Sequence, residues 1–218
     1  MSTSTITVGG QNVVLVAQPP RPGMRSIEFN ITDAVAAVSS PFTMQTQTFV
    51  WRGADMWGAT LTLPPMAQAD LDEWVCFLME MQGKANAVLL GDPLRKVPKG
   101  YTNDSVPVID GSVSTNNGFG ATQFQTKGWK PSTARILVRG DYLQVGYRLH
   151  RALNSPMSDS AGNAVISVWP SLREHPADGD AVILNNPRGL FRLAQNKRTW
   201  SQDFTKLGRL SFQVTEYR

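Results

Sequence analysis

The chain has 218 residues and a net charge of +4, with 41% hydrophobic and only 17% charged residues. This length can bury a real core, and the low charged share argues against disorder and for extensive buried or partner-covered surface. The one cysteine, Cys76, excludes an internal disulfide and hence a disulfide-stapled secreted scaffold.

Targeting signals are missing from the start of the chain, which has no basic segment and no apolar signal core. The longest apolar stretches, Val13 to Ala17 and Ala87 to Leu90, are far shorter than the roughly 20 residues that a membrane helix needs. We therefore expect a soluble product, made in a cytoplasm, with no membrane insertion of its own.

Strand patterns dominate the first part of the chain. The turn signal Gly9-Gly10 separates two apolar runs, and later runs alternate polar and apolar residues at period two. The predicted strands are Thr5–Val8, Asn12–Ala17, Ser26–Ile31, Phe42–Trp51 and Gly58–Leu63. Pro64-Pro65 ends the last of them, because proline removes a donor from the strand ladder.

One segment, residues 67–82, has the period of a helix. A single apolar stripe at i, i+3, i+4, i+7 and i+8 predicts its core face, and the stripe consists of Leu71, Trp74, Val75, Leu78 and Met79. Cys76 lies between Val75 and Phe77, so we interpret it as a buried, inert thiol. A short buried strand, Ala87–Leu90, is predicted to follow.

The second half of the chain consists of short strand patterns with turn residues every 8–12 positions, which is typical of a small barrel or sandwich. The predicted strands are Val106–Ile109, Ala121–Thr126, Arg135–Val138, Tyr142–Val145, Tyr147–Leu153, Ala164–Trp169 and Ala181–Leu184. Two final strands, Gly189–Ala194 and Leu210–Tyr217, return to the first domain. We predict an inserted barrel domain at 98–186 within a sheet-plus-helix domain formed by 1–97 and 187–218.

No constellation of a metal or catalytic site is found. The two histidines, His150 and His175, lack neighbouring ligands at the tight spacing of a zinc site, and the stretch 159–163 fits a turn better than a calcium loop. The acid pairs Asp178/Asp180 and Glu174/Asp178 fit solvated loops better than catalysis.

The serious rival is single-stranded nucleic-acid binding by the barrel, which needs exposed aromatic rings and cations. The candidate rings are Phe124, Trp129, Tyr142 and Tyr147, and the candidate cations are Lys127, Lys130, Arg135, Arg139 and Arg148. Alternate aromatic residues in short strands favour core packing instead. The basic residues of 186–218, opposed only by Asp203 and Glu216, indicate a solvated or intersubunit face, with nucleic acid or an acidic neighbour as alternatives.

Two groups of segments carry a resemblance to a known family. In the first half they are Pro64-Pro65-Met66, the helical stretch Ala69–Leu78 and Leu89–Pro93. In the second half they are Gly128-Trp129, Arg139–Tyr142, Ser158–Ala164, Val168–Arg173 and Gly189–Leu193. Over most of residues 25–215 this string resembles the distal tail proteins of long-tailed bacteriophages. The motifs are turn and packing signatures, and none is a chemical site.

The resemblance implies a mainly β protein: a ring domain of β-sandwich type with one α-helix, and an inserted small β-barrel that is OB-like. It implies a hexameric ring at the tail tip of the virion, synthesised in the host bacterial cytoplasm. The implied partners are further copies of the chain, the tail tube protein and tail-tip hub or fibre proteins, with DNA only in transit. It transfers no catalytic, cofactor-binding or metal-ligating residue, so we expect no enzyme. The alternative is that the barrel is a binding module for host glycan or single-stranded nucleic acid.

Overall fold

The computed structural model describes residues 3–100, 105–112, 118–204 and 207–218. These residues are mainly β, with 41% strand, 6% helix in a single helix, and a nearly closed six-stranded barrel-like sheet. The predicted fold class, mainly β with one helix and a small barrel, is confirmed. No helix within these ranges is long and apolar enough to cross a membrane.

The elements follow one another along the chain as follows. The first half contains β1 (Thr3–Val8), β2 (Gln11–Val16), β3 (Ser26–Thr32), β4 (Val35–Ser39), β5 (Thr46–Val50), β6 (Met56–Thr62), β7 (Met66–Ala67), α1 (Gln68–Glu80) and β8 (Val88–Leu90). The second half contains β9 (Val108–Ile109), β10 (Gln123–Lys127), β11 (Tyr142–Val145), β12 (Arg148–Ala152), β13 (Ala164–Trp169), β14 (Val182–Ile183), β15 (Gly189–Leu193), β16 (Trp200–Gln202) and β17 (Leu207–Glu216).

The chain divides into two compact units. The first holds Met1–Ile31, Trp57–Asp92 and Arg188–Arg218, and the second holds Thr32–Met56 and Pro93–Pro187. The predicted inserted segment, 98–186, falls within the second unit. Residues 32–56 also belong to that unit, although the prediction grouped them with the first domain. That the two predicted domains fold independently stays a prediction.

Strand β17 is the centre of the first unit. Its sheet has the order β3–β6–β17–β15–β8, and β7 and β16 pair with the first half of β17. Alternation buries every second residue of β17, and the buried apolar ones are Leu210, Phe212 and Val214. The β1–β2 hairpin turns at Gly9-Gly10 as predicted, and a parallel bridge from Leu15 to Ala87 joins it to the chain just before β8.

Helix α1 packs on one face of this sheet through an aromatic cluster. The ring centroids of Trp74 and Phe77 lie 5.5 Å apart, and those of Phe77 and Phe212 lie 6.3 Å apart. Leu71 approaches Gly208 so closely that a Cβ added there would come within 2.4 Å of Leu71 Cδ2, so this position must stay small. The helix therefore covers the face of β17 to which the even-numbered residues point.

Four of the five residues predicted for the core face of the helix are buried, and the fifth, Met79, is exposed. The buried members of this face are Leu71, Trp74, Val75 and Leu78. Met79 is 59% exposed, whereas Phe77 is 1% exposed. These two residues flank the stripe on opposite sides, and the sheet covers the flank that meets Phe212. Cys76 is exposed, so the prediction of a buried thiol is wrong, because its side of the helix faces away from the sheet.

The second unit contains the barrel-like sheet, with the order β14–β11–β12–β13–β10–β9. A bridge between Val108 and Ala181 brings the two end strands together. The predicted strand Arg135–Val138 is wrong: these residues form turns and irregular chain, and Arg135 has a φ of 54° that breaks an extended run. Ile136 and Leu137 are nevertheless fully buried in the core of this unit, so the apolar pattern came from burial and not from a strand.

A separate two-stranded sheet, β4–β5, precedes β6 in the chain and belongs to the second unit. Its register runs from Val35 opposite Val50 to Ser39 opposite Thr46. The prediction missed β4 and extended β5 too far toward its start. Residues 41–45 form the end of the hairpin instead, with Met44 at a φ of 57°.

Candidate interaction surfaces

The turn at residues 159–163 uses its carboxylate internally. Oδ1 of Asp159 accepts hydrogen bonds from the backbone N–H groups of Ala161 and Asn163, at 2.8 and 2.7 Å. Oδ2 accepts one from the Asn163 side chain at 3.1 Å. These bonds are those of a turn, as predicted. Among the residues that the structure describes, no group of three or more His, Cys, Asp or Glu could hold a metal ion.

The acids of the predicted loop pairs hold turns and strand ends. Asp178 Oδ1 accepts hydrogen bonds from Lys127 Nζ at 2.7 Å and from the Gly111 backbone N–H at 2.8 Å. The hydrogen bond from Lys127 is the main cause that holds the pKa of Asp178 below its usual value. Asp180 accepts from the Ala177 N–H at 2.7 Å. These carboxylates tie together the segments that close the barrel-like sheet.

The four rings proposed for base stacking belong mostly to the core. Phe124, Trp129 and Tyr142 are 0%, 3% and 6% exposed, and Tyr147 is half-buried. Trp129 donates its indole N–H to Thr126 Oγ1 at 2.7 Å. Core packing, which the alternation favoured, accounts for the three buried rings.

An apolar arm extends over the first segment of the second unit and is strongly exposed. We define the arm as residues 34–51, which contain the β4–β5 hairpin and no charged residue. Its large apolar side chains are 49% to 94% exposed, and they are Val35, Val38, Phe42, Met44, Phe49, Val50 and Trp51. The rings of Phe49 and Trp51 lie 6.4 Å apart. The missing charges over 34–51 are the sequence signal that could have singled out this segment.

The base of the arm is fixed by a buried carboxylate. Asp55 is 9% exposed, and its two oxygens accept the Ser171 hydroxyl and the Ser171 backbone N–H, each at 2.6 Å. The backbone N–H of Gly53 donates to Asp55 at 3.0 Å and to Ser171 Oγ at 2.6 Å. Burial raises the pKa of Asp55, but the hydrogen bonds led by Ser171 outweigh burial, so the net pKa lies below its usual value.

A buried histidine, His150, lies in β12 of the second unit and contacts the chain next to Ser171. Nδ1 of His150 donates to the Pro170 carbonyl oxygen at 2.8 Å, because a carbonyl oxygen can only accept. Burial, helped by the charges of Arg148 and Arg173, lowers the pKa of His150 to about 4, although the hydrogen bond to Pro170 and the charge of Asp55 act in the opposite direction. The imidazole is therefore neutral near pH 7 and helps to hold the chain that carries Ser171.

A basic groove lies in the first unit, beside the β16–β17 pair. Its volume is about 550 Å³. The lining residues are Arg25, Thr62, Leu63, Pro65, Thr199, Trp200, Ser201, Arg209, Leu210 and Ser211. A second cavity of about 290 Å³ shares Thr199 and Ser211 with the groove and adds Lys197 and Arg198. Cations and hydroxyls thus surround an apolar floor, and none of the described residues that line either cavity is acidic.

Two surfaces therefore stand out in the described part of the chain: the arm of the second unit and the basic groove of the first. Neither surface was predicted as a site from the sequence, although Arg209 belongs to the basic end of the chain. No protein-family model matches the chain, and no curated protein matches it significantly.

Proposed function

We propose that this chain is a structural virion protein, a distal tail protein that forms a hexameric ring between the tail tube and the tail-tip complex of a long-tailed bacteriophage. DNA passes through the ring, which contacts the tube protein on one side and tip proteins on the other. The chain is made in the host bacterial cytoplasm and ends up in the tail tip. Two observations support the proposal: the resemblance of residues 25–215 and the exposed apolar arm.

The arm carries the argument for assembly. A two-stranded hairpin is marginally stable in water by itself, and natural edge strands usually carry charges that block pairing with other chains. Residues 34–51 carry no charge, while Phe42 is 94% exposed and Val50 is 61% exposed. Exposed apolar side chains concentrated in one uncharged hairpin mark an interaction site.

A second copy of the chain is the occupant that fits the arm best. In a closed ring each copy contributes its own arm to one neighbour and binds the arm of the other neighbour. Every apolar hairpin is then buried, and every open strand edge is paired. The low charged share of the whole chain, 17%, agrees with surface that neighbours cover. The buried bonds between Asp55 and Ser171 hold the base of the arm, so every copy presents its arm at the same angle.

Charged substitutions in the arm test the proposal. We expect Val38→Lys combined with Phe49→Lys to leave thermal unfolding nearly unchanged, since both side chains are exposed, and to abolish incorporation into particles. Met157→Lys is the matched control, because Met157 is 66% exposed but lies outside the arm. The measurement is the amount of each variant in purified particles. Incorporation of the arm variant at the level of the control would contradict the proposal.

A further inference from the structure

We infer that the basic groove of the first unit receives the acidic outer face of helix α1 from a neighbouring copy of the chain. This inference rests on the proposed ring and names a second pair of surfaces that closes it, distinct from the arm.

The groove and the adjoining cavity offer cations that form no salt bridge with a described acid. Arg25 and Arg209 of the groove are exposed, as is Lys197 of the adjoining cavity. Among the described residues no salt bridge joins these three cations to an acid. Thr62 and Ser211 sit between them, with their hydroxyl oxygens 3.3 Å apart. The partner that fits is acidic, because it would gain charge-assisted hydrogen bonds to arginine.

Helix α1 carries the complementary charge on its outer face. The helix, with the sequence QADLDEWVCFLME, contains four acids and no basic residue. Asp72, Glu73, Cys76 and Met79 are all exposed, and their spacing of three and four residues lines them up along one side of the helix. This face thus combines carboxylates with a small apolar strip.

The groove also has apolar residues that can meet the apolar strip of the helix face. Leu63, Pro65 and Trp200 line the groove beside the arginines, and Trp200 is 48% exposed. A methionine such as Met79 packs favourably against an aromatic ring, and the exposed acids of the same helix face can meet the arginines at the same time. An exposed ring beside cations can also stack a nucleic-acid base, so oligonucleotide binding is one outcome of the experiments below.

Two polar residues of the groove, Arg209 and Ser211, lie on the side of the sheet opposite helix α1. Phe212 and Gly208 of β17 face the helix, and alternation directs Arg209 and Ser211 to the other side. One copy cannot place its own helix face in its own groove, and a two-fold dimer cannot engage both pairs in one interface. The contact is therefore head-to-tail, which is the geometry that repeats until a ring closes.

Charge exchange tests the contact in particles assembled with variant chains. We expect Arg209→Glu and Glu73→Arg, each alone, to lower incorporation at least roughly tenfold, since like charges meet across the interface. Both changes in the same chain restore the pair and are expected to restore incorporation. Arg209→Lys is the control that keeps the charge. If the double variant is as defective as the single ones while each melts like the natural protein, the inference is overturned.

A crosslink tests the same contact without changing its charge. Ser211→Cys places a thiol in the groove, and we expect an added oxidant to take two electrons from it and the Cys76 thiol of the next copy, giving a disulfide-linked ladder up to the full ring. Adding Cys76→Ser is expected to abolish the ladder. Suppose that Val38→Lys combined with Phe49→Lys prevents incorporation, but the Ser211→Cys chain forms no ladder. This inference would then be overturned, and the proposed function would stand. A third result would also overturn the inference: the protein binds oligonucleotides in a salt-dependent way, and Arg209→Glu abolishes this binding but leaves incorporation unchanged. That result would assign the groove to nucleic acid.

Discussion

His150 makes the stability of the second unit depend on pH. In the unfolded chain an imidazole binds a proton below about pH 6.5, whereas burial holds the folded pKa at about 4. Between these values the unfolded state binds more protons, so the free energy of unfolding falls as the pH falls. The loss totals ~3 kcal/mol by about pH 4 and then levels off.

The variant His150→Gln isolates this contribution. A glutamine amide can still donate to the Pro170 carbonyl but does not titrate, so we expect a flatter dependence of unfolding free energy between pH 6.5 and 4. The measurement is denaturant unfolding of both proteins at several pH values. Equal slopes for the two proteins would show that His150 is not the responsible group.

Trp74 tests the core of the first unit. Its side chain is 1% exposed, and its ring centroid lies 6.2 Å from that of Phe212. We therefore expect Trp74→Ala to lower the free energy of unfolding by roughly 3–5 kcal/mol. Met79→Ala is the control on the same helix and is expected to change it by less than about 0.5 kcal/mol. A Trp74→Ala protein with an unchanged melting curve would disprove the core assignment.

At the residue scale, periodicity predicts burial only where a single surface covers the helix. Leu71, Trp74 and Leu78 lie at the centre of the stripe and are buried. Phe77 and Met79 lie at its two flanks, and the position of Phe212 decides which flank is covered. That position depends on a strand far along the chain, so local sequence could not settle it.

At the scale of elements, strands with clear alternation or turn residues were predictable. Tyr142–Val145 and Ala164–Trp169 agree with the structure at both ends. The first strand of the arm could not be predicted in this way. Strand Val35–Ser39 is exposed along nearly its whole length, so it lacks the alternation that burial on one face creates. The opposite error occurred at Ile136 and Leu137, where an apolar pattern without hydrogen-bonded pairing resembled a strand.

Removing most of the second unit tests whether the first folds independently. We expect replacement of residues 98–186 by a short Gly-Ser linker to leave cooperative unfolding, because both junctions lie at turns. The arm should lose its fixed base in that protein, since Asp55 loses Ser171. Calorimetry and protease sensitivity of residues 34–51 measure the two effects. Loss of all cooperative unfolding would indicate one shared core.

At the scale of the whole molecule, assembly accounts for three features together. The arm exposes apolar, uncharged strands, the described lining of the basic groove contains no acid, and the acidic helix face points away from the sheet. Each would be unfavourable or unused in an isolated chain, and each is covered in a head-to-tail ring. Closure can require the tail tube, so the free protein is expected to be monomeric at low concentration.

Electron cryo-microscopy of the particle tests the hexameric ring most directly. We expect density for this chain at the tail tip, between the tube and the tip complex, with six copies around the tail axis. The arm of each copy is expected to lie against its neighbour. A location elsewhere in the particle, or a copy number that is neither six nor another multiple of three, would contradict the ring.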